Sequence, residues 1–285
     1  MAKLFLIAAL LLGTAQAQDA PAALKSTDVA PGITMLAGAG GNITLLAGDE
    51  YNVLLDDGYG QYTAALFDSL GELADGPIDF VINTHVHGDH VGSNAALADT
   101  GAVVYAHDNI RKRLLQESAS AGGPGGLPVV TFSDQVTFHV NGIEAFVFHI
   151  EDAHTDGDAA IEFRGRNVIY AGDLFFNYLF PFIDLDTGGN VAGYIAAQRQ
   201  IIAMSDDDTA IIPGHGVLAN KADLQAAVDM LVDAESRVKT LVDAGKTEQE
   251  ILAANPLADY HDTWNWRFIT TERMTSTLYR SLTSD

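Results

Sequence analysis

The sequence contains no cysteine, few basic side chains and no long apolar run after its first dozen residues. The lack of cysteine excludes a disulfide framework, a structural zinc site with thiolate ligands, and thiol catalysis. Lys and Arg number only 15 against 38 Asp and Glu, which gives a formal net charge of −23. Such a charge repels a phosphate backbone, so nucleic acid is disfavoured as a partner and a small-molecule substrate is expected.

The N-terminus has the pattern of a signal peptide. Lys3 precedes an apolar run at residues 4–12, and the small-residue sequence Ala15-Gln16-Ala17 follows. The run is too short to span a bilayer, and no later segment reaches the 18 apolar residues that a span requires. We expect residues 1–17 to be removed and the mature chain to be periplasmic or secreted, without a membrane anchor. Nothing in the sequence indicates an oligomeric state.

The order of apolar segments predicts one α/β domain over residues 18–285. Short strand-like runs separated by Gly-rich turns occupy residues 33–55, and a helical spacing over 62–73 is followed by a strand at 80–83. A second β-rich block covers 129–171. The last third is mostly helical, and no linker is long enough to divide the chain.

The segment most informative about chemistry is Thr84-His85-Val86-His87-Gly88-Asp89-His90, directly after the strand at 80–83. Two histidines two positions apart can project to one side, while the glycine lets the turn bring the aspartate and the third histidine to a second point. Imidazole and carboxylate are ligands for zinc, and iron and manganese accept the same types. The segment therefore predicts a site for two metal ions.

The spacing His-x-His-x-Asp-His resembles the defining motif of the metallo-β-lactamase superfamily. Three later segments also resemble that family's pattern, and they occur in its order: His154 in a His-Thr-Asp-Gly-Asp turn, Asp173 after a strand, and His215 in a Pro-Gly-His-Gly turn. The resemblance covers residues 31–285. It implies a four-layer αββα sandwich of the α/β (α+β) class, with the site at one edge between two sheets.

The resemblance also assigns the ligands of two Zn²⁺ ions. It implies that His85, His87 and His154 hold the first ion, that Asp89, His90 and His215 hold the second, and that Asp173 lies near both or bridges them. In the best-known zinc β-lactamases a cysteine stands where this sequence has Asp173, and a lysine that pairs with the drug's carboxylate stands where it has Phe176. Asp173 instead resembles the bridging aspartate of glyoxalase II and lactonases.

These residues predict an exported dinuclear zinc hydrolase. Two dications lower the pKa of a shared water, and the resulting hydroxide attacks a carbonyl carbon of a β-lactam or related cyclic amide or ester. Asp89 is the predicted catalytic residue, because it would orient that hydroxide. A lactonase, a thioesterase similar to glyoxalase II and another ester hydrolase of the same fold are alternatives, as is an exported metal-binding protein without turnover.

Three further residues are candidates for substrate contact. Phe180 and Phe182 follow Asp173 and could either form an apolar wall for the substrate or cover the core, and His261 lies among aromatic residues. The glycines of the segment 38–41 resemble the family's active-site flap, although an ordinary β-turn explains them equally well.

Overall fold

The computed structural model describes residues 24–284, and the predicted signal peptide lies outside them. The first sheet contains seven strands, each next to its neighbour in sequence. They are β1 Lys25–Ala30, β2 Ile33–Ala37, β3 Ile43–Leu46, β4 Val53–Leu55, β5 Phe80–Asn83, β6 Val103–His107 and β7 Val130–Phe132. Strands β1 to β4 are antiparallel, and β4 to β7 are parallel.

The second sheet contains six strands, of which the β11–β12 pair is parallel and the other neighbours are antiparallel. They are β8 Gln135–Val140, β9 Ile143–His149, β10 Ala159–Arg164, β11 Val168–Phe176, β12 Ala210–His215 and β13 Ala219–Asn220. The α-helices are α1 Thr63–Leu73, α2 Gly88–Val91, α3 Asn94–Asp99, α4 Asp108–Leu114, α5 Val191–Met204, α6 Lys221–Asp243, α7 Glu248–Ala254, α8 His261–Trp264 and α9 Thr271–Thr283.

Apolar side chains from both sheets form the central core. Ile33 and Ile82 of the first sheet belong to the same buried cluster as Val147 and Ile161 of the second. On the outer face of the first sheet, α1 and α3 supply buried leucines. Helices α5, α6 and α9 cover the outer face of the second sheet. The layers are therefore helices, sheet, sheet and helices, which confirms the predicted αββα sandwich.

Several elements differ from the sequence-based prediction. Strand β1 precedes the first strand expected, at residue 33, and none of its side chains is buried because it is the edge strand of the sheet. Strand β11 extends past residue 171 as far as Phe176, with an irregular register at Gly172. A capping box between Thr247 and Glu250 begins α7. None of the helices within residues 24–284 is long and apolar enough to cross a membrane.

Candidate metal centre

The first ligand cluster forms where β5 ends. The chain leaves the strand through Thr84 and His85 and enters the short helix α2 directly after His87, so that Asp89 and His90 lie on its single turn. His85 and His90 are buried, whereas His87 and Asp89 are partly exposed at the rim. One turn of chain therefore presents four candidate ligands at two depths.

The other candidate ligands come from the second sheet. His154 lies in the turn before β10, Asp173 within β11, and His215 at the end of β12. The turn around His154 is held by Asp158, whose carboxylate accepts hydrogen bonds from the backbone N–H groups of His154 and Thr155 at 2.6 and 2.7 Å. Loops from both sheets thus converge at one edge of the sandwich.

The seven predicted ligands form two neighbouring groups. In each group the donor atoms lie within 4.8 Å of one another: one contains His85, His87, His154 and Asp173, and the other Asp89, His90 and His215. Nδ1 of His87 lies 2.9 Å from Nε2 of His154, and Oδ2 of Asp89 lies 3.2 Å from Nε2 of His215. The structure brings all seven residues together in the partition that the resemblance implies.

Asp173 lies between the groups and directs one oxygen toward each. Its Oδ2 is 3.4 Å from Nε2 of His154 and 3.6 Å from Nε2 of His85. Its Oδ1 is 3.1 Å from Nε2 of His90 and 3.5 Å from Nε2 of His215. This is the arrangement that a carboxylate bridging two metal ions requires.

Unsatisfied polar atoms show that these residues fit a metal. Nε2 of His85, Nε2 of His90 and Oδ1 of Asp173 are buried and form no hydrogen bond among the described residues. A buried polar atom without a partner costs about 1–3 kcal/mol, so such atoms need an explanation. All three face the space between the two groups, where a cation would satisfy them.

The electrostatics of three candidate ligands suit metal ligation. Burial would raise the pKa of Asp173, but the adjacent His90 and His215 lower it well below its ordinary value, so that the group is a carboxylate. Burial lowers the pKa of His154 to about 4 and that of His85 well below its ordinary value. These two rings are therefore neutral at neutral pH, which is the state that binds a metal.

The two histidines of the second group would exchange a proton for the metal. Burial lowers the pKa of His90 and His215, but Asp173 and Asp89 raise it, well above the ordinary value for His90 and to about 9 for His215, so a metal would have to displace these protons.

Hydrogen bonds to the second ring nitrogen orient four of the histidines. Nδ1 of His85 lies 3.1 Å from the hydroxyl of Thr84, and Nδ1 of His154 lies 2.7 Å from the carbonyl oxygen of Phe182. The remaining two rings contact carboxylates: Nε2 of His87 lies 3.0 Å from Asp184, and Nδ1 of His90 lies 2.8 Å from Asp56. Such partners fix the ring orientation and increase the basicity of the ligand.

Sequence reasoning missed several of these supporting residues. Asp56 is fully buried and also accepts hydrogen bonds from the backbone N–H and hydroxyl of Thr84, both at 2.7 Å. Its position directly after β4 was a usable signal, because polar residues at the ends of parallel strands meet at one edge. Asn42 also went unnoticed: its amide donates to the carbonyl oxygens of Pro213 and Gly216, which fixes the turn that carries His215.

The family of the chain follows from a comparison with known sequences. A family model described as the metallo-beta-lactamase superfamily matches residues 37–215, which include all seven candidate ligands. The chain belongs to this superfamily. Its fold agrees with solved metallo-beta-lactamases, such as DIM-1, with a TM-score of 0.63, 15% identity, and coverage of 74% of this chain and 98% of that one. Another from Pontibacter korlensis has a TM-score of 0.61 and 18% identity over 74% of this chain and 99% of that one.

Two curated relatives are hydroxyacylglutathione hydrolases. One, from Polaromonas sp. strain JS666, is 30% identical over 49% of this chain and 49% of its own length. The other, from Pelagibacter ubique strain HTCC1062, is 29% identical over 35% of this chain and 37% of its own length. The chain thus spans about half or less of these relatives. Together, the comparisons show the metallo-beta-lactamase superfamily and its fold.

A further structural neighbour matches more of the chain than the lactamases do. A double mutant of the sec-alkyl sulfatase PisA1 has a TM-score of 0.67 and 17% identity, and the match covers 91% of this chain and 50% of that one. At this identity the likeness concerns the fold alone. The shared fold extends over most of the chain.

A cavity of about 440 Å³ opens above the metal centre. Besides candidate ligands and two glycines, its lining consists of aromatic side chains, namely Tyr59, Phe176, Phe182, Trp266 and Phe268. Gly40 lines it too, and the backbone N–H of Gly41 donates to the carbonyl oxygen of Asp89 at 3.2 Å. The glycine segment that resembles a flap therefore lies at the site.

Two of the three predicted substrate contacts are corrected by this geometry. Phe182 lines the cavity, but Phe180 is fully buried in the core beneath the second sheet and cannot reach a substrate. The segment between β11 and α5 is irregular, so the two phenylalanines point to different places. His261 is exposed, its Nδ1 lies 2.9 Å from the hydroxyl of Thr271, and it does not line the cavity.

Proposed function

We propose that the protein is an exported dinuclear zinc hydrolase that cleaves a neutral carboxylic ester or lactone. The observation that carries the proposal is the position of Asp173, whose two oxygens face two separate histidine groups. Five imidazoles and two carboxylates without a thiolate suit zinc. The signal-peptide pattern of residues 1–17 supports export.

Two zinc ions, when bound, lower the pKa of a water molecule toward neutrality and polarise a carbonyl group. The chain's own residues orient the reactants around them. Asp89 is partly exposed and lines the cavity, where its carboxylate can accept a hydrogen bond from the attacking water. Burial would raise the pKa of Asp89, but His90 and His215 lower it, so that it remains an acceptor at neutral pH.

Tyr59 supplies a hydrogen-bond donor in the cavity, close to Asp89. It lines the cavity, and its hydroxyl forms no hydrogen bond with another described residue. Partial burial and the nearby charge of Asp89 raise the pKa of Tyr59, so the phenol keeps its proton at neutral pH. We assign it the role of stabilising negative charge on the carbonyl or leaving oxygen.

The lining of the cavity favours the ester and lactone alternative over a β-lactam. No Lys or Arg occurs among the lining residues that the structure describes, and the chain as a whole is strongly acidic. Penicillin-type drugs carry a carboxylate, and Phe176 stands where a lysine would pair with it. The curated relatives are named after glutathione thioesters, which are also anionic. A neutral substrate needs no counter-charge here.

A substrate panel with the zinc-loaded protein tests the proposal. Neutral esters and lactones should be hydrolysed at least about tenfold more efficiently than carboxylate-bearing β-lactams or hydroxyacylglutathione, since one missing ionic contact is worth at least about 1.4 kcal/mol. A chelator should abolish turnover, and zinc should restore it. Fastest turnover of an anionic substrate would refute the proposed class. Two bound metal ions without turnover of any substrate would instead favour the non-catalytic alternative.

A further inference from the structure

Four aromatic side chains form a continuous wall above the metal centre. We call Phe176, Phe182, Trp266 and Phe268 the aromatic wall. The ring centroids of Phe182 and Phe268 are 5.3 Å apart, those of Phe268 and Trp266 5.6 Å, and those of Trp266 and Phe176 6.1 Å. These separations are typical of rings in contact.

The aromatic wall is joined at both ends to candidate metal ligands. Phe176 stacks on His215 at 4.9 Å with an interplanar angle of 14°, and Phe182 packs against His87 at 5.4 Å. The wall therefore reaches from a ligand of one metal group to a ligand of the other. An apolar group that rests on it lies directly beside the reacting centre.

Hydrogen bonds hold the aromatic wall in place without a substrate. The indole N–H of Trp266 donates to the carbonyl oxygen of Phe180 at 2.8 Å. The guanidinium of Arg273 lies over the face of Phe268 at 4.3 Å and donates to its carbonyl oxygen at 3.0 Å. The same guanidinium lies 5.1 Å from the centroid of Phe182. Because the rings are fixed in advance, a ligand would not have to order them.

Half of the aromatic wall comes from outside the region matched by the superfamily. That region ends at residue 215, whereas Trp266 and Phe268 lie in the segment between α8 and α9. The matched region therefore contains all seven candidate ligands together with Phe176 and Phe182, and the later segment adds the other half of the wall. A segment that joins the ligand region in this way is placed to determine which substrates enter.

The exposure of Phe268 is also consistent with a ligand-binding surface. Its side chain is 46% exposed at the edge of the cavity, where it continues the apolar lining formed by Phe182 and Trp266. Arg273, the cation nearest to it, lies outside the cavity lining and is engaged with the ring faces. The aromatic wall thus offers apolar contact without a charge for an anion.

We propose that the aromatic wall binds an alkyl chain of the substrate and that residues 264–273 set the preference for chain length. The inference rests on the proposed ester or lactone hydrolysis and names its apolar recognition element. Each methylene that leaves water for the wall should improve binding by up to about fourfold, the equivalent of about 0.8 kcal/mol per buried CH₂. The preference should level off when the chain exceeds the cavity.

Binding can be measured separately from hydrolysis because the chain has only two tryptophans. Trp264 is buried and Trp266 lines the cavity, so ligand contact should change the fluorescence of Trp266. We would titrate 1-butanol, 1-hexanol and 1-octanol into the zinc-loaded and the metal-free protein. A saturable signal whose Kd falls by about twofold to fourfold per methylene is expected.

Phe268→Ala is the test variant, and Phe268→Leu retains part of the apolar surface. The alanine variant should lose most of the gain per methylene, and the leucine variant should keep more of it. Tyr51→Ala is a matched control, because Tyr51 is also an aromatic residue of similar exposure, at 41%, and lies outside the cavity. Circular dichroism and the unfolding midpoint show whether each variant is folded.

Hydrolysis of p-nitrophenyl acetate, butyrate and octanoate, and of the matching alkyl lactones, completes the test. Alcohol binding that improves with chain length, together with no hydrolysis of any ester, would refute the proposed function but support the role of the aromatic wall in binding alkyl chains. Hydrolysis without any dependence of kcat/KM or Kd on chain length would refute that role of the aromatic wall. A fluorescence change that follows protein concentration in the absence of alcohol would also overturn it, since a second copy of the chain would then cover Phe268.

Discussion

A Cβ atom placed on Gly41 would lie 2.2 Å from Nε2 of His90, the ring nitrogen that faces the second metal group. No carbon approaches a nitrogen this closely without displacing it, and His90 is fully buried with no room to move. The backbone between β2 and β3 therefore passes over the ligand so closely that only glycine fits. This is a stronger requirement than an ordinary β-turn imposes.

We predict that Gly41→Ala weakens binding of the second metal ion by at least about tenfold. The added Cβ shifts the ring of His90, and this should have an effect as large as the loss of a residue that orients a ligand. Competition with a chelator and metal analysis measure the effect. Gly71→Ala is the matched control: a Cβ at this exposed helical position meets nothing within 4 Å, so this variant should bind both ions and gain about 0.5–1 kcal/mol of stability. Equal metal affinity in the two variants would contradict the assigned geometry.

Replacement of Asp173 tests whether it bridges. Asp173→Ala removes one ligand from each ion and leaves two dications with less negative charge between them, so both should bind more weakly. Activity should fall by at least about a hundredfold, more than the 10- to 100-fold typical of outer-sphere partners. Asp173→Cys should restore part of the affinity for one ion. Zinc titration followed by metal counting distinguishes the three proteins, and unchanged stoichiometry in the alanine variant would exclude a bridge.

Asp184 positions His87 from outside the ligand set. Its Oδ2 lies 3.0 Å from Nε2 of His87, although most strands of the second sheet lie between the two residues in the sequence. We predict that Asp184→Ala weakens binding of the first metal ion by about 10- to 100-fold. Asp184→Asn retains a hydrogen-bond acceptor and should have a smaller effect.

The matched control for this pair is Asp186→Asn, which removes an exposed carboxylate from the same loop. Asp186 pairs with Arg280 at 2.7 Å and does not contact a candidate ligand. It should therefore leave metal affinity unchanged. If Asp184→Ala lowers the unfolding midpoint of the metal-free protein but not the affinity for zinc, its role is structural and the prediction is wrong.

The contrast between Asp184 and the histidine motif shows what the sequence could predict. His85, His87, Asp89 and His90 are close in the chain, so their spacing alone indicates a metal site. The contact between His87 and Asp184 depends on how the two sheets pack, and no local pattern reports it. The same limit explains Phe180 and Phe182, which are alike in sequence although only the second lines the cavity.

Local sequence patterns predicted some elements of the fold and missed others. Strands with apolar runs, such as Val53–Leu55 and Phe80–Asn83, were predicted within a residue or two. Strand Lys25–Ala30 was missed because an edge strand with exposed side chains has no apolar periodicity. Helix Thr271–Thr283 was missed because four of its residues are threonine, which is a poor helix former, and packing of Met274 and Leu278 overrides that preference.

Tyr59→Phe tests the proposed donor in the cavity. The variant keeps the ring and removes only the hydroxyl, so substrate binding should change little. We expect kcat to fall by about 10- to 100-fold, less than for a fully enclosed oxyanion donor, because Tyr59 is 44% exposed. Steady-state kinetics with a neutral ester separates kcat from KM. An increase in KM at constant kcat would show that Tyr59 contributes binding alone.

The environment of His107 predicts that the folded protein loses stability in acid. Its neutral ring donates from Nε2 to the carbonyl oxygen of Ser133 at 2.9 Å and accepts at Nδ1 from the N–H of Asn109 at 3.3 Å. Burial, with a contribution from the stacked ring of His149, lowers the pKa of His107 below its ordinary 6.5. The unfolded chain therefore binds this proton first, and the stability contributed by the neutral ring is lost as pH falls below about 6.5.

We predict that wild type loses more unfolding free energy between about pH 7.5 and about pH 5.5 than His107→Gln does, since glutamine does not titrate. Urea denaturation of both proteins at the two pH values provides the measurement. The difference between the proteins removes the titration of groups that they share. Parallel pH dependence in wild type and variant would mean that folding does not change the pKa of His107, which would contradict the prediction.

The bonds from the Asn42 amide to the turn around His215 tie together the first and last parts of the metal centre. During synthesis His85 leaves the ribosome long before His215, and a chain that stops before the Pro-Gly-His-Gly turn has neither the last ligand nor the turn that Asn42 holds. Metal binding by the complete set of candidate ligands therefore requires the docking of one sheet against the other. A truncated or half-folded chain lacks part of this set, so metal content would serve as a measure of completed synthesis and correct assembly.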